Sequence, residues 1–197
     1  MLEEALGLYR EIGDARGEAN VIWGLGSFYY FGADASKAED WYSRALEMHR
    51  AAGDRTMEAW SLHMLALSVT GQRRWDEANE MARRALQHFY EAGDVSGVIL
   101  VLDDLAIIAT GLGDAERAGR LWGAARHFQR RTGTALADYV AQTNMLFGVS
   151  TPQNVLTAEE LEARSAEGAA MSLDEIVAYA LGPAGGVPPP AHVEVPS

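Results

Sequence analysis

The chain has 197 residues, 48% of them hydrophobic and 22% charged, enough to bury a core in one domain or a short solenoid, which excludes a disordered chain. Cysteine is absent; this excludes disulfides, thiolate catalysis and cysteine-held metals, and a reducing, cytoplasmic setting is expected. The formal net charge of -12 repels a phosphate backbone, so direct nucleic-acid binding is not expected. At the N-terminus, MLEEALGLYREIGD is acidic and amphipathic, unlike a secretory signal. No window reaches the apolar length of a membrane span.

Glycine then sets a period. Gly13, Gly53, Gly93 and Gly133 stand 40 residues apart, the first three followed by Asp14, Asp54 and Asp94 and the fourth by Thr134. The same interval links Ala5, Ala45, Ala85 and Ala125; Leu6, Leu46 and Leu86; Ala38, Ala78 and Ala118; and Leu25, Leu65 and Leu105. A glycine after a helical run is a left-handed stop, and the aspartate beyond it can cap the next helix. Each period therefore holds two helices, the first from about Arg16 to Phe31 and the second from about Ser36 to Ala52, with Ser36 and Glu39 as a capping-box candidate. Gly71 and the run from Gly111 to Asp114 supply turns between paired helices.

The expected architecture is an all-α, right-handed superhelical solenoid of antiparallel helix pairs: a half unit at 1–14, units at 15–54, 55–94 and 95–134, degenerate capping helices at 135–181 and a flexible Pro/Gly tail at 182–197. In the half unit, Leu2, Ala5, Leu6, Leu8 and Tyr9 form an apolar second helix whose first helix is absent, so either a longer solenoid precedes Met1 or another chain covers this end, self-association included. Past Gly133, Ala137 to Phe147 keeps helical spacing, Pro152 ends it, and Thr157 with Glu160 and Ser172 with Glu175 open two further helices.

These columns resemble the tetratricopeptide repeat family. Leu25-Gly26, Leu65-Ala66 and Leu105-Ala106 look like its Leu-small pair, Tyr29 like the aromatic that follows, and Ala38/Ala45, Ala78/Ala85 and Ala118/Ala125 like its small packing positions. The 40-residue unit is longer than the 34-residue form, and Val69 and Ala109 replace the aromatic. The resemblance implies a concave groove lined by first helices, at Asn20, Trp23, Ser27 and Tyr30, at Trp60, His63, Leu67 and Thr70, and at Leu100, Asp103, Ile107 and Thr110. A peptide or helix is the implied partner. Trp23 and Trp60 can equally serve as core between units. Asn20, His63 and Asp103 gain little from burial and are expected to face the groove.

Residues 120–133 and 164–181 are similar to the end of the repeat region in LuxR-type and related bacterial ATPase regulators. That likeness implies a signal-sensing module acting on a protein partner or on an ATPase domain that this chain does not contain. No catalytic chemistry is expected. Lys37 is the one lysine and is not in a phosphate-binding loop; Gly24-Leu25-Gly26 lacks the third glycine of a dinucleotide fingerprint. The five histidines, His49, His63, His88, His127 and His192, lack metal-ligand spacing. Adjacent carboxylates such as Asp103-Asp104 diverge around a helix. No cofactor and no metal are expected. A stand-alone enzyme or small-molecule receptor using the groove as a pocket is the alternative.

Overall fold

The computed structural model describes residues 2–133 and 146–182. Ten helices occur among them, and no strand: α1 (Leu2–Ile12), α2 (Ala15–Phe31), α3 (Ala35–Ala51), α4 (Arg55–Gly71), α5 (Trp75–Glu91), α6 (Val95–Gly111), α7 (Ala115–Thr132), α8 (Pro152–Val155), α9 (Ala158–Ala169) and α10 (Leu173–Leu181). The expected Pro/Gly tail and most of the expected helix from Ala137 lie outside the described residues.

The helices from α2 to α7 begin at 20-residue intervals, separated by three-residue turns. Each turn has its middle residue at positive φ: Ala33 (62°), Gly53 (67°), Arg73 (61°), Gly93 (69°) and Gly113 (78°). The true spacing of turns is thus half the glycine period, with Ala33 and Arg73 concealing alternate members of the series. Beyond every one of these turns except that of Arg73 the helix is capped by aspartate, as α2 is after Gly13. The side chains of Asp14, Asp34, Asp54, Asp94 and Asp114 accept from the backbone N–H of Gly17, Lys37, Met57, Gly97 and Arg117, satisfying donors that a helix start leaves free. Asp34, not Ser36, caps α3. Gly71 lies inside α4, and its turn belongs to Arg73. The boxes at Thr157 with Glu160 and Ser172 with Glu175 both form.

Consecutive helices pack together from α1 to α7, an all-α solenoid of antiparallel pairs. The alanine columns lie at the closest approaches: Ala38, Ala45, Ala78, Ala85 and Ala125 are fully buried and Ala118 nearly so, where a larger side chain would separate the backbones. In the first unit, a Cβ on Gly26 would stand 2.7 Å from the Tyr42 ring. The corresponding positions one unit on are Ala66 and Ala82, both buried. Volume is exchanged between partners rather than added.

After α7, α9 takes the place of a further first helix. A Cβ on Gly123 would meet the Ser165 backbone at 2.2 Å, and one on Gly168 the Arg120 carbonyl at 1.9 Å, so the two helices touch main chain to main chain. α10 folds back onto α5, α6 and α7, burying Leu173, Ile176, Val177 and Ala180 in the main core. The Tyr90 hydroxyl donates to Asp174 at 2.7 Å, and Arg117 donates to the carbonyls of Tyr179 and Ala180 at its C-terminal end.

Candidate binding groove

The first helices α2, α4 and α6 contact one another in sequence, forming one continuous layer. The twelve expected groove residues occupy matching positions 40 apart on these helices: Asn20/Trp60/Leu100, Trp23/His63/Asp103, Ser27/Leu67/Ile107 and Tyr30/Thr70/Thr110.

Of these twelve, Asn20 is exposed. Trp23 is half-buried, edge-on to Tyr42 with centroids 5.9 Å apart, and packs against two core clusters, the main one and that of Leu6, Ile22, Leu25 and Ala45. Ser27 bonds within the first unit, donating to the Trp23 carbonyl at 3.3 Å and accepting from the Tyr42 hydroxyl at 3.0 Å. Trp60 stands edge-on to Phe89 of α5 at 5.1 Å and to His63 at 5.7 Å. Tyr30, Leu67, Thr70, Leu100 and Ile107 are buried. Thr110 is half-buried and turned to its own helix, donating to the Ala106 carbonyl at 2.9 Å. Both tryptophans therefore touch core and layer together.

The expectation that His63 and Asp103 stay open is not met. They are 1% and 0% exposed. Polar neighbours stand beside both groups, and for Asp103 the neighbour is a cation that offsets part of the desolvation. His63 Nδ1 lies 2.9 Å from Asp104 Oδ2, while Asp103 accepts from Arg126 of α7, whose guanidinium lies 4.2 Å from the centre of the Trp122 ring. The adjacent carboxylates do diverge, one toward α4 and the other toward α7. Burial pushes the Asp103 carboxyl from its ordinary value near 4 up to about 6, against the pull of Arg126, with the Asp104 charge adding to the rise.

The layer is also occupied. Phe147 tilts over Tyr30 with centroids 5.0 Å apart and rests where a Cβ on Gly71 would be, 3.0 Å from its ring. Val149, 7% exposed, is buried with Leu100 and Ile107 against Trp60, Trp75 and Phe147. Arg73 donates to the Gly148 carbonyl at 3.3 Å. None of Arg73, Trp75, Asp104, Arg126, Phe147 or Val149 was expected at the site. Asp103-Asp104 carried a signal, as two carboxylates in the apolar run VILVLDDLAII that could not be buried without partners.

Among the described residues no group of three or more His, Asp or Glu side chains could hold a metal ion, and no helix is long and apolar enough to cross a membrane. No curated protein matches the chain. Residues 17–91, from the first turn of α2 to the end of α5, match the model of the tetratricopeptide repeat family, so the helix pairs α2–α3 and α4–α5 are similar to tetratricopeptide repeats.

Proposed function

We propose that this chain is a non-enzymatic protein-binding module whose units at 15–54, 55–94 and 95–134 present the α2–α4–α6 layer to an apolar peptide or helix. The observation that carries this reading is the apolar lane formed by Tyr30, Trp60, Leu67, Leu100 and Ile107, the first three on helices α2 and α4 within the stretch that matches the tetratricopeptide repeat. Aromatic and branched aliphatic side chains in one lane are anchors of the kind that dominate binding energy. Exposed Asn20 lies at the polar rim.

The finer reading is that the module senses signals in a cytoplasmic ATPase-type transcriptional regulator, with its partner a separate protein or the regulator's own ATPase domain. Support for it comes from the likeness of residues 120–133 and 164–181 to such regulators. Exposed Leu8 and Ile12 on α1 support a further contact there, with a preceding helix or a second copy.

The test is a fluorescence-anisotropy screen of a synthetic peptide library against the full chain, followed by cross-linking to locate each hit. Apolar peptides should bind saturably and cross-link to α2, α4 and α6. Hits that cross-link to α3, α5 and α7 would sink the groove assignment. A thermal shift produced only by small metabolites would favour a receptor instead.

A further inference from the structure

The turns of the solenoid follow a strict pattern with one exception. Gly13-Asp14, Ala33-Asp34, Gly53-Asp54, Gly93-Asp94 and Gly113-Asp114 each place a small residue at positive φ and an aspartate at the cap. The turn between α4 and α5 has Arg73 and Arg74 instead, with Arg73 at φ 61° and no side-chain cap on α5. A long side chain in the left-handed region costs about 1–2 kcal/mol, and such strain persists where something else requires the residue. Arg74 reaches Glu39 at 2.6 Å and Glu77. Arg73 reaches the Gly148 carbonyl.

Gly148, itself at φ 58°, turns the chain so that Phe147 and Val149 both pack on the layer, the first over Tyr30 and Gly71 and the second in one cluster with Leu100 and Ile107. Among the described residues, Phe147 and Val149 are seated by apolar contact and Arg73 donates to the Gly148 carbonyl, while α8 just beyond touches α6 and α7. Nothing here resembles the main-chain contact by which Gly123 and Gly168 join α9 to α7. One element is fused to the solenoid; the other is seated in it as a peptide ligand would be.

We propose that Phe147-Gly148-Val149 is an internal stand-in for the partner. The groove recognises a peptide presenting an aromatic side chain and, two residues on, a β-branched aliphatic one, and the partner binds by displacing this segment. Tyr30 and Gly71 form the aromatic seat, Leu100 and Ile107 the aliphatic seat, and Arg73 grips the carbonyl between them. The inference rests on reading this face as a protein-binding groove. With the groove occupied, apparent affinity falls by the fraction of molecules in which it is free.

The probe is a fluorescein-labelled peptide of this chain's own residues 146–154, LFGVSTPQN, titrated into full-length protein by anisotropy. The double variant Phe147→Ala/Val149→Ala should bind it about ten-fold more tightly than the wild type, or better. A control peptide with both anchors replaced by alanine should not bind, and adding Gly71→Leu, which fills the aromatic seat, should abolish binding. Circular dichroism checks that each variant keeps its helices. If the double variant does not, Val149→Thr, which preserves shape, takes its place with a smaller gain. A folded variant that ignores the peptide, or binds the control equally, overturns the inference. Library peptides of unrelated sequence that bind the wild-type groove with no gain in the variant would overturn it while leaving the groove reading intact; failure of every library peptide would remove the groove reading itself.

Discussion

Asp103 and Ala33 show how single residues carry stored cost in opposite ways. Asp103 is fully buried and its carboxyl is raised to about 6, so the folded state holds its proton more tightly than the unfolded chain does. Stability from this group is therefore greatest below the unfolded value near 4 and is lost as pH rises through about 6, a change of about 3 kcal/mol. His49 and His88 act against it, because burial lowers both, with Asp54 and Glu58 respectively opposing that shift; their contribution is present above the ordinary histidine value and lost as pH falls below it. A difference measurement isolates the aspartate. Urea unfolding of wild type and Asp103→Asn across pH 4 to 7 should show the wild type gaining on the variant as pH falls from about 6 to about 4. The charged and titratable groups near Asp103 are Arg126 and Asp104, with His63 beyond the latter, and they are common to both proteins. A pH-independent difference would mean that Arg126 keeps Asp103 ionised throughout. Ala33 is simpler. Its φ of 62° costs about 1–2 kcal/mol, against about 0.4–1 kcal/mol of added unfolded-chain entropy for glycine. Ala33→Gly should therefore stabilise by roughly 0.5 kcal/mol, a small upward move in the denaturant midpoint at unchanged slope.

At the scale of the element, the helices were legible because their ends are written in the residues that form them. Glycine at positive φ followed by an aspartate cap recurs wherever nothing interferes, and the 40-residue columns exposed two such ends per pair of units. The half-period was hidden at Ala33 and at Arg73-Arg74, where other demands replaced the pattern. What sequence could not reveal is contact between elements of unrelated register. Phe147 and Val149 lie beyond the last repeating column, and nothing in their local spacing points to Tyr30, more than a hundred residues earlier. The junction of α7 with α9 was equally hidden, although Gly119, Gly123 and Gly168 mark it once the pairing is known. That junction predicts a local failure. Gly123→Leu drives a side chain into the Ser165 backbone, an overpacking of about 3 kcal/mol or more. Hydrogen exchange in α9 should accelerate while α2 and α3 keep their protection, since repeats in a solenoid feel chiefly their neighbours. Equal acceleration throughout would show that α9 is not a separable cap.

For the whole molecule the question is how a quasi-linear stack acquires cooperativity. In a simple solenoid each unit touches only the next and the ends fray. Here α10 breaks that rule by folding back across α5, α6 and α7, so the second and third units share one apolar cover and the polar ties from Tyr90 and Arg117. Among the described residues the N-terminal end has no such brace. α1 buries Leu6 yet leaves Leu8 62% and Ile12 72% exposed. Stability should therefore be graded, with α4 to α7 opening together and α1 opening first. Ile176→Ala tests the brace, because Ile176 is fully buried in α10 and its truncation costs about 2–5 kcal/mol. Native-state hydrogen exchange should show that loss across α5, α6 and α7, with little change in α1 and α2, and denaturant unfolding should become broader as the two halves part company. A loss spread evenly over every helix would instead mean that the chain unfolds as one unit, and that displacement of the groove segment would be felt at both ends of the stack.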